Sequence, residues 1–242
     1  MKVIVYVEGP SDQKALQALL SKPIIEPARQ RRVGISFSPL GGKAPILNDV
    51  PRKAAEILKQ SPDDWVFALP DLYPMAYYDD TPNAHRSHAE LVKVLQGRFQ
   101  SRAGKIGVPE AARSHFRVHC LKHDLEALLL AAPDQLRDRL KTKDALKGRW
   151  RLPVENQNDA KPPKYVVEDL FRQYRKKPDY IDTVDAVWIL ERASLPSLEV
   201  ACRQNFEPFV RELRALAEGR DPDAPVGAKK PGDQAATKID DA

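Results

Sequence analysis

The sequence predicts an α/β protein: a mostly parallel sheet flanked by helices, with a helical C-terminal extension. Three observations predict it. Short apolar runs rich in β-branched residues alternate with helical stretches up to residue 131, the order that builds parallel sheets covered on both faces. From 131 to about 180, helix and loop alternate with no run suited to a strand. The 242 residues are 42% hydrophobic and 30% charged, an ordinary balance for a chain that buries a sizeable core.

Residues 1–7, Met-Lys-Val-Ile-Val-Tyr-Val, suit a strand buried on both faces. Ser11 or Asp12 can cap the helix that follows, whose apolar positions Ala15, Leu16, Leu19 and Leu20 recur at helical spacing; Pro23 is expected to stop it. Residues 33–37 form a weaker strand, and residues 39–43 turn into a helix over about 44–60, where Pro51 predicts a break or a late start. Residues 65–69 are the third strand, followed by a polar and aromatic loop to about 82 and a helix near 84–100. Phe116, Val118 and Cys120 alternate with His115, Arg117 and His119, the period of a half-buried strand. A short helix over 123–131 carries Leu125, Leu128, Leu129 and Leu130. The last helix is expected from Ser197, with Val200, Phe206, Phe209, Val210, Leu213 and Leu216. Residues 219–242 hold four basic and five acidic residues and almost nothing to bury, so they read as a disordered tail. The expected division is an α/β core over 1–131, a helical extension packed on it over 132–218, and the tail over 219–242.

Lys and Arg number 39 against 34 Asp and Glu, a formal charge of +5, which excludes a polybasic histone-like binder and leaves room for a local basic surface. No run approaches the roughly 18 apolar residues of a membrane-spanning helix, so no membrane partner is expected. Residues 1–7 lack the h-region and cleavage site of a signal peptide. Cys120 and Cys202 are too few for a disulfide scaffold, and a cytoplasmic location is expected. No Gly-x-Ser-x-Gly elbow and no Gly-x-Gly-x-x-Gly turn is present, which argues against a nucleophilic hydrolase and a dinucleotide enzyme. A strand end between His119 and His123 breaks the one-face geometry of a helical zinc pair.

Ligands of parallel sheets sit past the carboxyl ends of the strands, where the sequence puts Glu8 and Asp71. If the first and third strands are neighbours, these carboxylates share a cleft and repel unless a cation or proton lies between them. Mg2+ (or Mn2+) is the natural guest, since it takes hard oxygen ligands, keeps waters, and can activate one against a phosphoryl group. Gly9 permits close approach and Asp12 adds charge one turn on. Spacing alone leaves a second reading open, in which Asp12 caps a helix and Glu8 is a solvated strand end.

The Gly41-Gly42-Lys43 run can cradle a phosphate, though a plain turn is the simpler reading and the Walker spacing is missing. Residues 137–151 hold seven basic and two acidic residues. Arg137, Arg139, Lys141, Lys147, Arg149 and Arg151, with Trp150 as a stacking platform, are candidates for a nucleic-acid groove; the alternative is a solvated helix face. Arg29, Arg31 and Arg32 form a second cluster, and Arg172, Arg175, Lys176 and Lys177 a third. Tyr73, Tyr77 and Tyr78 can stack on bases or lie buried against the site.

Val5-Tyr6-Val7-Glu8-Gly9-Pro10-Ser11-Asp12 before an apolar helix resembles the first motif of TOPRIM domains, the metal-binding α/β module of topoisomerases, primases and OLD-type nucleases. In those, a glutamate after the first strand acts as acid/base and an Asp-x-Asp pair after the third holds magnesium. Here Asp71 stands first, but Tyr73 replaces the second aspartate, and a phenol is a poor magnesium ligand at neutral pH. The chain is similar to the TOPRIM-like bacterial family catalogued as domain of unknown function 4276, in which Asp-x-Tyr is usual. That family's His-Glu-Phe-Glu-Ala-Leu-Leu-Phe element stands here as His123-Asp124-Leu125-Glu126-Ala127-Leu128-Leu129-Leu130, and its Pro- and Lys-containing loop as Asn158 to Lys164. Cys202 to Phe206 with Phe209 match its terminal helix. The resemblance implies a TOPRIM-like core. Glu8 is then acid/base and metal ligand, Asp71 the principal metal ligand, and Glu126 with Asp124 a further acidic contribution. His123 touches the phosphate or orients Glu126, with Asp12 and Tyr73 supporting. The activity implied is a Mg2+-dependent nuclease in phage defence or genome maintenance, working with an ABC- or AAA-type ATPase. The alternative is a non-catalytic subunit of such an ATPase. Whether a second copy of the chain is a partner stays open.

Overall fold

The computed structural model describes residues 1–146, 150–157, 161–175 and 179–224. Within them, four strands, β1 (Lys2–Val7), β2 (Gly34–Pro39), β3 (Trp65–Leu69) and β4 (Phe116–Val118), form one sheet in the order β2-β1-β3-β4. Every neighbouring pair is parallel. The β-branched and aromatic side chains of β1 and β3 place these strands at the centre, and all five residues of β3 are buried. Val7 lies opposite both Pro39 and Leu69, so β1, β2 and β3 end level.

Among the described residues, eleven helices surround the sheet: α1 (Pro10–Leu20), α2 (Glu26–Gln30), α3 (Lys43–Gln60), α4 (His88–Ile106), α5 (Glu110–Arg113), α6 (Glu126–Leu130), α7 (Pro133–Leu140), α8 (Pro163–Arg175), α9 (Val187–Arg192), α10 (Leu195–Ala201) and α11 (Phe206–Ala217). On one face, Val3, Val5 and Phe67 share a core with Leu16 of α1, Phe171 of α8, Ile189 of α9 and Phe209 of α11. On the other, Val66 and Ala68 pack with Leu47 of α3 and Leu95 and Phe99 of α4. The expected α/β architecture with helices on both faces is present. Among the described residues, no helix is long and apolar enough to cross a membrane. Residues 219–224, placed in the expected tail, include Asp223, which pairs with Arg117; residues 225–242 lie outside the described ones.

Several local expectations are corrected. The first helix is entered from Gly9, with Pro10 at its start, and Asp12 reaches back to accept the Gly9 N–H at 2.7 Å. Pro23 does not stop the coil: α1 passes through a π-turn, Ser21–Ile25, into α2. The Glu26 N–H donates to the Ser21 carbonyl, and this wider turn relieves the clash between the Pro23 ring and the preceding turn. Pro51 does not break α3 either. It cannot donate to the Leu47 carbonyl, and Arg98 of α4 does so instead through Nη1 at 2.9 Å.

The short helix expected from His123 begins only at Glu126, leaving His123 and Asp124 in the turn before it. The single helix expected from Ser197 is two. Between them the carboxylate of buried Glu155 accepts the Gln204 and Asn205 N–H groups, each at 2.8 Å, and compensates the N-terminus of α11. Val200, read as core, is exposed on α10.

Candidate active site

Three chain segments meet at the carboxyl edge of the sheet. Glu8 follows β1 directly, and Asp71 follows β3 after Pro70. The β3–β4 pairing is extended by a bridge between Asp71 and Leu121, with the Leu72 N–H donating to the Leu121 carbonyl at 2.6 Å. That bridge brings residues 123–126 alongside. Backbone contacts then fix Glu8. Its carbonyl accepts the Gly41 and Gly42 N–H groups, both at 2.8 Å, in a turn whose φ values of 82° and 126° suit glycine. Its Oε1 accepts the Asp71 N–H at 2.9 Å. The expected convergence of Glu8 and Asp71 is therefore a direct contact.

A cleft of about 350 Å3 is lined by Glu8, Asp12, Asp71, Asp124 and Glu126. Lys164 and Asp182, which sequence reading did not assign to the site, complete its wall from the extension. Lys164 also donates its backbone N–H to Asp124 Oδ2 at 3.1 Å. No motif marks Asp182, and Lys164 stood only at the end of a resembling loop; nothing short of the topology places either here.

Burial in the cleft raises the proton affinity of five of its acids. Burial lifts Glu126 to about 7, helped by the charge of Asp124 and opposed by Lys164 and the Tyr180 hydroxyl. Burial lifts Asp124 to about 6, against the N–H and charge of Lys164 and with the charges of Asp12 and Glu168. Asp71 is held well above the usual carboxylate range by burial and then by Glu8, Asp12, Asp124 and Glu126 around it. Glu8 and Asp12 are raised as well, again chiefly by burial. A group of carboxyls that resists ionisation in this way is relieved by a proton or a cation.

A second cavity, of about 650 Å3, adjoins this cleft and shares Asp71 and Asp124 with it. His123 is buried and its ring stacks on Tyr73, with centroids 4.8 Å apart and planes at 15°. The Tyr73 ring is therefore engaged with an aromatic partner. Lys43 was read as a phosphate contact, yet its side chain is buried. Its Nζ donates to the Leu72 and Pro74 carbonyls at 2.6 and 3.1 Å and lies 5.1 Å from the Tyr78 ring centre. Burial lowers its ammonium to about 8, against the pull of Glu8 and Asp71. It ties down the loop that carries Tyr73.

The predicted basic groove is not assembled at this cleft by its described members. Arg137 pairs with Asp134, and Arg139 with buried Asp185 while lying over Trp188. Lys141 ends α7 in the left-handed region, Trp150 is partly buried against the core, and Arg151 donates its N–H to Gln157. Arg175 also pairs with Asp185, and Arg172 with Asp169. Lys147, Arg149, Asn158, Lys176 and Lys177 lie outside the described residues.

The donor set fits magnesium or manganese in kind: every acidic group lining the cleft offers hard carboxylate oxygens. Among the described residues, no three His, Cys, Asp or Glu side chains stand together as a group that could hold a metal ion. Magnesium is commonly held by one or two carboxylates, with waters and phosphate oxygens completing the shell, so an open acidic cleft is compatible with it. Glu8, Asp71, Asp124 and Glu126 are the residues able to supply those oxygens.

The family profile described as domain of unknown function (DUF4276) matches residues 7–214 of the chain. No curated protein matches it. Among solved structures, the C-terminal region of the Burkholderia pseudomallei OLD protein is similar at 15% identity and a TM-score of 0.42, covering 89% of this chain and 98% of that one. The C-terminal region of the Xanthomonas campestris pv. campestris OLD protein is similar at 13% identity and a TM-score of 0.41, covering 89% and 96% respectively.

Proposed function

The chain belongs to the DUF4276 family, and we propose that it is a Mg2+- or Mn2+-dependent phosphodiesterase acting on nucleic acid. The observation that carries this reading is the cleft at the carboxyl edge of the parallel sheet that Glu8, Asp71, Asp124 and Glu126 line, each with its ionisation suppressed. Asp71, with Asp124 or Glu126, would hold the ion, and waters and phosphate oxygens would complete its shell. Bound there, the ion supplies Lewis acidity toward a phosphoryl oxygen and a more acidic water.

The chain's own residues do the rest. Glu8, fixed by the Asp71 N–H, takes a proton from the attacking water or returns one to the leaving oxygen. Glu126, near 7, is divided between its two protonation states at neutral pH and can share that proton traffic. Lys164 is the exposed cation on the cleft wall and meets the phosphate charge. A bacterial defence or genome-maintenance role beside an ABC-type ATPase belongs to the same proposal and is carried by the TOPRIM resemblance alone.

The test is cleavage of mixed DNA and RNA with Mg2+ or Mn2+ by wild type, Glu8→Gln and Asp71→Asn. Loss of about a hundredfold or more in both variants is expected, the scale of a removed acid/base or ligand. Undiminished cleavage by Glu8→Gln, or none by folded wild type with either metal, overturns the proposal. The Tyr73–His123 stack favours a second reading, a non-catalytic subunit of an ATPase, since it puts an aromatic where the TOPRIM pattern has a metal ligand. Thermal stability raised by the ATPase and untouched by Mg2+ is the result that reading expects.

A further inference from the structure

The cavity beside the acidic cleft has a lining of a different kind. Its volume, about 650 Å3, is of ligand size, and beyond the shared Asp71 and Asp124 it is walled by Tyr73, Met75, Ala76, His123 and Pro162. The stacked rings of Tyr73 and His123 give it a flat aromatic element. Arg86 stands among its lining and is itself exposed. On the same short turn as Ala76, Tyr77 is 84% exposed, an aromatic with most of its surface in water.

Whatever fills this cavity lies next to the group held in the cleft, because Asp71 and Asp124 belong to both. If that group is a phosphodiester, its covalent neighbours are a sugar and a base. A base has apolar faces and a polar edge, and the cavity offers apolar walls with carboxylates and a guanidinium at its margins. In a duplex each base is stacked and paired, and withdrawing one costs a few kcal/mol. In a single strand the base is already free to enter.

We propose that this cavity receives an unpaired nucleobase adjoining the phosphate in the cleft, with Tyr77 stacking on a neighbouring base, so that the substrate is single-stranded nucleic acid. The inference rests on the phosphodiesterase reading above. Stacking of a base on an aromatic side chain accounts for roughly ten- to hundredfold in affinity.

The test uses the full chain with Glu8→Gln to hold the substrate uncut. The probe is a short single-stranded DNA carrying one 2-aminopurine, with its duplex as comparison. Binding is expected to change the fluorescence of the single strand and to favour it over the duplex by about tenfold. Ala76→Trp, at an exposed position, fills the cavity and is expected to abolish the fluorescence change; Tyr77→Ala, outside the core, is expected to weaken binding by about tenfold. In wild type, the single strand is expected to be cut faster than the duplex. Equal cutting of both, or binding with no fluorescence change, overturns the base pocket and leaves the phosphodiesterase standing. A fluorescence change lost in Ala76→Trp, with no cutting of any substrate by wild type, upholds the pocket and sinks the hydrolytic reading. Absence of binding of either strand form by folded protein overturns both.

Discussion

Glu126→Gln separates what the acidic cleft costs the fold from what it does. Glu126 is 4% exposed, and burial, then the charge of Asp124, lifts it from 4.5 to about 7. Below pH 4.5 the group is protonated in both the folded and the unfolded chain and costs nothing. Between 4.5 and about 7 the unfolded chain releases the proton while the folded one keeps it, so stability falls as pH rises and then levels off. The shift, 7 minus 4.5, corresponds to about 3 kcal/mol at pH 8. For a chain of this length that is a melting-temperature difference of roughly 6–12 °C. Glutamine keeps the shape and the hydrogen-bonding capacity toward Tyr180 without the charge. Thermal melts from pH 4 to 8.5 in metal-free buffer are expected to coincide at the acid end and diverge above pH 5, with the variant the more stable at pH 8. Added Mg2+ is then expected to raise the melting temperature of wild type more than that of the variant. Parallel pH profiles for the two proteins, or a variant less stable at pH 8, would refute the reasoning.

Two further predictions concern the scaffold of the site. Lys43→Met removes the donor to the Leu72 and Pro74 carbonyls and is expected to cost about 2 kcal/mol in urea denaturation, the scale of buried acceptors left unpaired; an unchanged midpoint would mean that the loop does not depend on this tie. Arg98→Met removes the donor that replaces the missing Pro51 N–H at the Leu47 carbonyl, with an expected loss of about 1–3 kcal/mol. In a Pro51→Ala background, where an N–H is restored four residues on, the same substitution is expected to cost less, and equal costs in the two backgrounds would show that the guanidinium does not stand in for the proline.

What the sequence reveals of the site is the part that the strand ends determine. Glu8 and Asp71 each follow a short apolar run, so both can be placed past strand ends from the sequence, whereas the adjacency of their strands is only supposed there and is supplied by the sheet order β2-β1-β3-β4. The family element over His123 to Leu130 points to Asp124 and Glu126 as well, although Asp124 lies in the turn before α6 and only Glu126 is in the helix. The burial of Lys43 is not legible in its local pattern, glycines before a helix, which does not show that the loop after β3 folds over it. The partners of the basic clusters are hidden for a related reason. Arg139 is matched by Asp185, 46 residues away, and a local count of charge has no access to such a partner. The two prolines misled because breaking a helix depends on what surrounds the ring, and here a π-turn widens the coil at Pro23 while Arg98 satisfies the carbonyl that Pro51 leaves free.

The acidic cleft draws on both the sheet and the chain that follows it. Lys164, at the start of α8, meets Asp124 through its backbone, and Asp182 faces the same cleft just before α9. Tyr180 sits beside Glu126 and opposes the rise in its proton affinity. None of these is close in sequence to the strand ends, and each is held by helices whose apolar faces share one core with β1 and α1. The arrangement has a physical logic. Strand ends alone would bring four or five carboxyls together with little to offset their repulsion, whereas the helical stretch adds one cation, one phenol and enough cover to lower the local dielectric. That cover is what raises the carboxyls toward neutral pH, and a carboxyl near neutral pH is the kind that moves protons at physiological pH. The helices that bury the sheet are therefore the same ones that set the chemistry of its edge.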